Sequence, residues 1–263
     1  MRIDLTGRTA VVTGSTAGIG YASAVGLARA GARVVVNGRS SEGVDEAVER
    51  LRDEVAEADA LGVAADLQDA GGAARLVSAV GEVDILVNNV GVYAPVPFEE
   101  IPDSEWERFF QVNVMSGVRL ARGLVPGMAG RGWGRVVFVS SESALHIPPE
   151  MIHYGVTKTA QIAVARGLAE HVAGSGVTVN AVRPGPTRTE SVIAFLQELS
   201  RDHEDLSELE ERFLAEHRPT SLLGRLATPE EVASLIVYVC SPQASATTGA
   251  ALRVDGGVVR AIP

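Results

Sequence analysis

The chain has 263 residues, of which 46% are hydrophobic and 21% charged, and its formal net charge is −10. This length and apolar content fit one layered α/β domain with a covered core and exclude an intrinsically disordered chain. No basic cluster interrupts the acidic balance, so nucleic acid and anionic membrane surfaces are not expected as partners.

Cysteine usage and the absence of long apolar segments indicate the compartment. The single Cys240 lies in the apolar run 235–240, which predicts a buried thiol, no disulfide framework and a reducing environment. The first residues contain no apolar signal segment, and no stretch is long enough to span a membrane. We therefore expect a cytoplasmic protein without a membrane segment.

Short runs of β-branched residues alternate with helical segments along the chain. Continuous apolar runs such as 34–36 are typical of parallel strands that are buried on both faces. The predicted helices include Gly18–Ala30, Glu42–Ala58 and Tyr154–Val172. The alternation predicts right-handed βαβ units in a single domain, 1–263, with a doubly wound, Rossmann-like parallel sheet of about seven strands and helices on both faces. The predicted strands are Thr9–Thr13, Arg33–Asn37, Gly62–Ala65, Asp84–Asn88, Arg135–Ser140, Val177–Val182 and Ala251–Val254.

A glycine-rich sequence connects the first predicted strand to the first helix. It reads Thr13-Gly14-Ser15-Thr16-Ala17-Gly18-Ile19-Gly20, and its spacing departs from G-x-G-x-x-G. Alone, such a loop could be only a tight turn. Its position favours dinucleotide binding, because glycines let the backbone approach a pyrophosphate and the helix N-terminus supplies free N–H groups.

Tyr154 and Lys158 lie four positions apart on a predicted helix, so their side chains share one face. A lysine charge beside a tyrosine favours the phenolate and so lowers the pKa of the phenol, which is about 10 in an unperturbed tyrosine. We therefore expect an acid/base that works near neutral pH. Taken alone, Y-x-x-x-K also occurs by chance on solvated helices.

Together these motifs resemble the short-chain dehydrogenase/reductase family in its compact single-domain form. The loop from Thr13 to Gly20 is similar to the family's T-G-x-x-x-G-I-G motif, and Asn88-Asn89-Val90-Gly91 is similar to N-N-A-G with valine in place of alanine. Pro184-Gly185 resembles the turn beside the nicotinamide, and Asp255-Gly256-Gly257 resembles a common terminal signature. The matches follow the family's order from the first strand to the last.

The resemblance implies a catalytic set of Asn113, Ser141, Tyr154 and Lys158. In the family's mechanism the tyrosine protonates a carbonyl oxygen as hydride arrives from the reduced nicotinamide, or performs the reverse step on an alcohol. Lys158 would lower the tyrosine pKa and bind the nicotinamide ribose, and Ser141 would donate to the substrate oxygen. Asn113 would hold a helix water that links Lys158 to solvent.

Alternatives remain for two members of this set. Ser140 or Ser143 could be confused with Ser141, whose own side chain could simply cap a loop, although the spacing of 13 residues to Tyr154 favours Ser141. Asn113 could be a polar residue in a helix packed on the sheet.

The end of the second predicted strand bears on the choice of cofactor. It reads Val36-Asn37-Gly38-Arg39-Ser40 without a carboxylate, and Gly38 takes the position at which NAD-preferring relatives carry aspartate. Since a guanidinium suits a 2′-phosphate, NADP(H) is favoured over NAD(H), and a surface Arg39 without a ligand role is the alternative. The predicted cofactor contacts are Gly14, Ser15, Thr16, Gly18, Ile19, Gly20, Arg39, Asp66, Leu67, Asn89, Gly91, Tyr154, Lys158, Pro184, Gly185, Thr187 and Thr189.

The segment 190–220 is predicted to be a helical lid over the substrate pocket. Its apolar stripe includes Leu206, Leu209, Phe213 and Leu214 and backs onto an acidic run that begins at Asp202, so a merely solvated helix is the alternative. Apolar residues near the site suggest a medium-sized hydrophobic carbonyl compound: Val92, Tyr93, Pro95 and Met151. Four further residues are expected to line the pocket or face solvent and not to bind a metal: Glu142, His146, Glu150 and His153.

The sequence therefore predicts an NADP-preferring oxidoreductase that interconverts a carbonyl and a secondary alcohol. An NAD-linked alcohol dehydrogenase that runs toward oxidation is one alternative, and a catalytically idle dinucleotide-binding regulator is another. Sugar epimerases and dehydratases share Y-x-x-x-K but usually have a longer C-terminal substrate domain. The resemblance also implies a homo-oligomer, a dimer or tetramer, with a four-helix contact between the helix of Trp106, Phe109 and Phe110 and the helix of Tyr154.

Overall fold

The computed structural model describes residues 2–198 and 205–262. Over these residues the strands form one parallel sheet, which confirms the predicted fold class. The strands are β1 (Thr9–Val12), β2 (Arg33–Gly38), β3 (Ala60–Ala64), β4 (Ile85–Asn88), β5 (Gly134–Val139), β6 (Val177–Pro184) and β7 (Ala251–Val254). They lie in the order β3-β2-β1-β4-β5-β6-β7. Each predicted strand is present, with bounds that differ by at most two residues.

Helices connect the strands and cover both faces of the sheet. The helices within the described ranges are α1 (Gly18–Arg29), α2 (Ser41–Glu54), α3 (Ala70–Val80), α4 (Asp103–Phe110), α5 (Ser116–Gly130), α6 (Ile152–His171), α7 (Glu190–Glu198), α8 (Leu206–His217) and α9 (Pro229–Val239). A π-helical turn, Gln111–Met115, joins α4 to α5, and short 3-10 turns lie at Phe98–Glu100, Glu142–Ala144, Pro149–Met151 and Pro242–Ala244.

Two apolar layers hold the sheet between its helices. Along β1, Val12 points into the layer beneath α1, α2 and α9, whereas Val11 points into the layer beneath α3, α5 and α6. Val11 pairs in register with Val35 on β2 and Leu86 on β4, and all three are fully buried. Each buried aliphatic side chain stabilises the fold by about 1.5–3 kcal/mol. The continuous apolar strands thus follow from burial on both faces.

The chain reverses its winding direction beside β1. From β1 it proceeds through β2 to β3 on one side, and then crosses to β4 on the other side. Ligands in open α/β sheets bind at the carboxyl ends of the strands at such a switch point. The fold therefore places the glycine-rich loop after β1 and the Asn88-Asn89 pair after β4 at one binding crevice.

A small separate apolar cluster holds α7 and α8. It consists of Leu196, Leu209, Leu214 and Leu226, with Phe213 packed against it, so the predicted apolar stripe of α8 is confirmed except at Leu206, which lies outside the cluster. Asp205 and Glu208 form a capping box at the start of α8. The part of the predicted lid at 199–204, which includes Asp202, lies outside the described residues.

Two smaller expectations can be compared with the structure. Cys240 is fully buried, as predicted, and burial raises the pKa of its thiol to about 12. None of the helices in the described ranges has both the length and the apolarity that crossing a bilayer would require.

Candidate active site

A cavity of about 670 Å³ opens at the carboxyl ends of the central strands. The loops after β1, β4, β5 and β6 form its floor, and residues of α7, α8 and the α8 C-terminus complete its wall. Ser141, Tyr154 and Lys158 all line it. The structure therefore brings three of the four predicted catalytic side chains to one cavity.

Ser141 and Tyr154 are hydrogen-bonded to each other through their hydroxyl groups. Ser141 follows β5 directly, whereas Tyr154 lies in the first turn of α6. Burial raises the pKa of the Tyr154 phenol well above its usual value, and the hydrogen bond from Ser141 opposes this shift. Tyr154 is therefore a neutral phenol at physiological pH, in position to share its proton with an oxygen bound beside Ser141.

The hydrogen bonds of Ser140, Ser141 and Ser143 distinguish the three candidate serines. The Ser140 hydroxyl donates to the Lys158 carbonyl oxygen at 2.8 Å, and the Ser143 amide donates to the Ser141 hydroxyl oxygen at 3.1 Å. Ser140 therefore fixes β5 to α6, and Ser143 orients Ser141. Ser141 is the serine whose hydroxyl meets Tyr154.

Lys158 lies one helical turn beyond Tyr154 and is the one lysine in the sequence. Its Nζ is 5.5 Å from the centroid of the Tyr154 ring and donates to the Val139 carbonyl oxygen at 3.0 Å. The residue is only 4% exposed, and no carboxylate of the described chain pairs with it. Burial therefore lowers the pKa of the ammonium to about 7.

The expectation that Lys158 lowers the Tyr154 pKa is contradicted. Burial raises the pKa of Tyr154 and lowers that of Lys158, so each group shifts toward its neutral form. A lysine that is only partly charged near neutral pH stabilises a phenolate weakly. Its ammonium has three N–H donors, of which Val139 takes one, so donors remain for ribose hydroxyls at this position.

Asn113 lies in the π-helical turn and is almost completely buried. Its Oδ1 accepts from the Val92 amide at 2.7 Å, and its Nδ2 donates to the Val92 carbonyl oxygen at 3.0 Å and to the Thr157 hydroxyl at 2.9 Å. The Asn113 carbonyl oxygen accepts from the Gln161 side chain at 2.5 Å. The residue thus joins the loop after β4 to α6, and its role in a water relay stays a prediction.

The glycine-rich loop has the geometry of an anion site. Gly14 and Gly18 adopt positive φ values of 59° and 54°, which side chains disfavour. The N-terminus of α1 has no side-chain cap and no acidic residue in its first turn. Its free N–H groups and dipole therefore suit a pyrophosphate.

Ser15 serves the loop itself. Its amide and hydroxyl donate to the carbonyl oxygens of Asn37 and Val12 at 2.9 and 2.7 Å, and the side chain is fully buried. Its hydroxyl oxygen also accepts from the Asn37 amide at 3.0 Å. These bonds occupy the groups with which the predicted contact would be made, whereas Gly18 and Ile19 line the cavity.

Thr13 and Asn89 connect the loops on either side of the switch point. The Thr13 hydroxyl accepts from the amides of Asn89 and Val90 at 2.9 and 3.0 Å, and the Asn89 side chain donates to the carbonyl oxygens of Thr13 and Gly14, both at 3.0 Å. A Cβ at Gly20 would lie 2.3 Å from the Gly14 carbonyl oxygen. Close packing alone therefore requires a glycine at position 20, whether or not a ligand binds there.

The end of β2 carries no carboxylate and is tightly packed at Gly38. A Cβ at Gly38 would lie 2.6 Å from the Thr16 methyl group, so an aspartate there would need Thr16 to move. Arg39 is exposed at this edge, and no ion pair between described residues includes it. Asp66 is also exposed, whereas the Leu67 side chain belongs to the core.

The remaining predicted contacts differ in where they lie. Asn89, Gly91, Pro184, Gly185, Thr187 and Thr189 line the cavity. Gly14, Thr16, Gly20, Arg39, Asp66 and Leu67 lie outside its lining, toward the α1 and β2 edge. The Thr187 hydroxyl donates to the Gly185 carbonyl oxygen at 2.9 Å.

A buried ion pair beside Ser141 is absent from the sequence predictions. Glu142 Oε1 accepts from Arg218 Nε at 2.7 Å, and the two side chains are 4% and 5% exposed. The sequence named Glu142 as a loop residue but gave no signal for a partner 76 positions away. Arg218 directly follows α8, so the pair joins the end of the predicted lid to the turn after β5.

The loop residues named from the sequence divide between cavity, solvent and core. Glu142, Glu150 and Met151 line the cavity with Tyr93 and Pro95. His146 is exposed. His153 is fully buried, with its ring centroid 4.0 Å from that of Phe109, so it belongs to the packing of α4 against α6.

Known proteins match the chain over its whole length. A family model described as enoyl-(acyl carrier protein) reductase matches residues 14–259. The uncharacterized oxidoreductase YvaG of Bacillus subtilis is 48% identical over 263 residues, which cover 100% of both chains. Dehydrogenase/reductase SDR family member 4 of Caenorhabditis elegans is 32% identical, covering 96% of this chain and 95% of that protein. The crystal structure of L-sorbose reductase from Gluconobacter frateurii, complexed with NADPH and L-sorbose, has a TM-score of 0.93 at 35% identity and 100% coverage of both chains.

Proposed function

This chain belongs to the short-chain dehydrogenase/reductase family, and we propose that it is an NADPH-linked reductase that converts a ketone to a secondary alcohol. It is an oxidoreductase that acts on CH–OH or carbonyl groups with a pyridine nucleotide. The observation that carries the finer proposal is the hydrogen-bonded Ser141–Tyr154 pair above Lys158 at the base of the cavity.

The protein's own groups handle the proton of this reaction. When bound, the reduced nicotinamide supplies a hydride to the carbonyl carbon and becomes oxidised. The Ser141 hydroxyl donates to the carbonyl oxygen, on which negative charge develops. Tyr154 transfers its phenolic proton to that oxygen, which completes the secondary alcohol. Lys158, with a pKa near 7, returns a proton toward the phenolate and holds the ribose.

The protonation state of Tyr154 suits the acid step of ketone reduction. Burial raises the pKa of its phenol, so the group carries its proton at neutral pH. A protonated phenol acts as the acid that ketone reduction needs, whereas oxidation of an alcohol needs the phenolate as base. The proposal is therefore reduction, and a dehydrogenase that runs toward oxidation stays the alternative, to be tested by the rates in both directions.

NADPH is the proposed cofactor. The end of β2 has no carboxylate for a ribose diol, a side chain at Gly38 would require Thr16 to move, and Arg39 is exposed beside them. A guanidinium there pairs with a 2′-phosphate. The L-sorbose reductase to which the chain is similar is described with NADPH bound.

A homo-oligomer in the cytoplasm completes the proposal. An apolar groove runs between α5 and α6 and is lined by Val118, Ala121, Val125, Val164 and Leu168. Exposed apolar side chains near the C-terminus, Leu222 and Ile262, offer a second contact. We expect a dimer or tetramer in size-exclusion chromatography with light scattering.

Tyr154→Phe tests the catalytic proposal directly. The variant should bind NADPH as the wild type does and should lose at least about 1,000-fold in kcat for ketone reduction, because the proton donor is gone. Tyr238→Phe is the matched control, since Tyr238 lies on α9 outside the cavity. If neither wild type nor variant reduces any ketone although both bind NADPH, the idle-regulator alternative replaces the proposal.

Arg39→Ala tests the choice of cofactor. Loss of a guanidinium–phosphate pair should weaken NADPH binding by about 10- to 100-fold and leave NADH binding unchanged. Titration followed by nicotinamide fluorescence measures both affinities. Equal or tighter binding of NADH by the wild type would contradict the NADPH assignment.

A further inference from the structure

The substrate end of the cavity combines apolar and charged groups. Tyr93, Met151, Phe195 and Phe213 form apolar parts of the lining. Glu142, Glu150, His217 and Arg218 contribute polar groups to the same lining. The arginine and histidine pair with the two carboxylates, Arg218 with Glu142 and His217 with Glu150, so a purely hydrophobic ketone would add no partner for any polar atom that these pairs leave free.

One carboxylate oxygen in this lining has no hydrogen-bond partner. Oε2 of Glu142 is screened from solvent and takes no hydrogen bond from the described residues, whereas Oε1 of the same carboxylate accepts from Arg218 at 2.7 Å. An unpartnered buried carboxylate oxygen lacks one or more donors that it would have in water. The terminal torsion of a glutamate has a broad minimum, so Oε2 can turn toward a donor in the cavity.

The surroundings of Glu142 select the kind of donor. Arg218 already neutralises the carboxylate, and its Nη1 is held by the His217 carbonyl oxygen at 2.7 Å. Because the pair is neutral as a whole, an ammonium group would gain little charge compensation for its own desolvation. A second anion would be repelled by the free carboxylate oxygen. A neutral hydroxyl is the donor that fits.

The position of Glu142 in the chain locates that hydroxyl. Glu142 directly follows Ser141, whose hydroxyl meets Tyr154 at the point where the reacting oxygen would bind. Glu142 lines the same cavity as Ser141 and Tyr154, and its charge acts on the Tyr154 phenol, so its carboxylate lies near the carbon that neighbours a carbonyl bound there. A hydroxyl on that carbon can reach Oε2 while the carbonyl oxygen is held by Ser141 and Tyr154.

We propose that Glu142 recognises a substrate hydroxyl on the carbon next to the carbonyl, so that the substrates are α-hydroxy ketones and their polyhydroxylated homologues. This inference rests on the proposed reductase function. Glu142 is a specificity-determining residue, and Arg218 positions it from the end of the lid. The apolar residues then contact the carbon skeleton of the substrate.

Isosteric substrate pairs test the proposal. Hydroxyacetone and butanone differ by exchange of one hydroxyl for a methyl group, and dihydroxyacetone and diethyl ketone differ by two such exchanges. The wild type with NADPH should prefer the hydroxylated member of each pair by about 10- to 100-fold in kcat/KM, the range expected for a hydrogen bond to a charged acceptor. Glu142→Gln should lower this preference by about 10-fold, because the amide offers a weaker neutral partner.

Glu210→Gln is the matched control. Glu210 lies on α8 and is also a buried carboxylate. It pairs with Arg188 at 2.6 Å and does not line the cavity. Its substitution should leave the preference between the paired ketones unchanged. An equal loss of preference in Glu210→Gln would show that lid position, and not Glu142, sets specificity. Thermal melting of both variants accounts for any loss of folded protein.

The outcomes separate this inference from the proposed function. Efficient reduction of the alkyl ketones, with no preference for their hydroxylated partners, contradicts the role of Glu142 and leaves the reductase function intact. An unchanged preference in Glu142→Gln contradicts it as well. Reduction of none of the four ketones by a protein that binds NADPH contradicts the proposed function and this inference with it.

Discussion

The two ends of the cavity are built in different ways. At the cofactor end, backbone groups at the ends of β1 and β4 make the site, and Thr13 and Asn89 hold them together across the switch point. At the substrate end, side chains make the site, and the Glu142–Arg218 pair joins segments 76 positions apart. The first end is therefore fixed by the sheet, whereas the second can change with single side chains.

The two ends also differ in what supports them. The cofactor end rests on the two large apolar layers of the sheet. The substrate end rests on a cluster of four leucines, Leu196, Leu209, Leu214 and Leu226. Segments with few buried apolar contacts open at a lower free-energy cost than the core. Substrate access through the α7–α8 side is thus compatible with a rigid cofactor site.

Gly20→Ala should break the cofactor end and gives the largest expected effect. Its Cβ would lie 2.3 Å from the Gly14 carbonyl oxygen and 2.5 Å from the Asn89 side-chain nitrogen, so α1 must move away from the loop. We expect NADPH affinity to fall by at least about 100-fold, or the protein to lose its fold, since both contacts are with groups that are already hydrogen-bonded. Fluorescence titration and thermal melting measure the two outcomes.

Gly130→Ala is the control for this substitution. Gly130 ends α5, and a Cβ there would have no heavy atom within 4 Å. Alanine at a helical position without strain should leave NADPH binding unchanged and raise stability by about 0.5 kcal/mol. Wild-type NADPH affinity and melting temperature in Gly20→Ala would show that the loop tolerates a side chain and that its packing is not the constraint.

Lys158→Met tests how much the buried Lys158 ammonium, at the boundary between the two ends, destabilises the fold. Burial lowers the pKa of Lys158 to about 7 in the folded protein, whereas the pKa of a lysine in an unfolded chain is about 10.4. Between these values the unfolded chain binds more protons, so wild-type stability rises with pH across this window. The methionine variant lacks this contribution. Its free energy of unfolding should exceed that of the wild type by at least about 2 kcal/mol at a pH of about 6. The difference should shrink as the pH rises toward about 10.

Denaturant unfolding without nucleotide measures this difference at each pH. The same residue can be observed alone, because the sequence contains one lysine. Its labelled ¹³Cε resonance should titrate near 7. A titration midpoint at about 10 would mean that groups other than the Val139 carbonyl stabilise the buried ammonium. The stability gain in Lys158→Met would then be absent.

The contrast between the two ends also explains how far the sequence could be interpreted. Strand positions and the shared face of Tyr154 and Lys158 follow from local patterns, since burial on both faces and helical spacing act over a few residues, whereas Ser141 was assigned from the family resemblance. The fold class was predicted for the same reason. The Glu142–Arg218 pair depends on where the end of α8 lies relative to the turn after β5, which no local pattern encodes.

Two predictions failed or weakened for related reasons. The direction of the Tyr154 pKa shift was predicted from the nearby Lys158 charge, but burial is the larger effect on both groups. Ser15 was assigned to the cofactor from its place in the motif, but its polar groups bond to Asn37 and Val12. Burial and hydrogen bonding are properties of the folded surroundings, so sequence position alone does not supply them.

Leu209→Ala probes the substrate end and gives the smallest expected effect. Leu209 is 3% exposed in the four-leucine cluster, and its loss should loosen α8 locally. We expect KM for the ketone to rise about 3- to 10-fold, with NADPH affinity unchanged and faster amide exchange in α8, because the affected contacts lie outside the main layers. Leu86→Ala, in the fully buried β4, should instead lower global stability by about 2–5 kcal/mol. Equal losses of global stability in the two variants would show that α8 unfolds together with the sheet, and the substrate end would then be as rigid as the cofactor end.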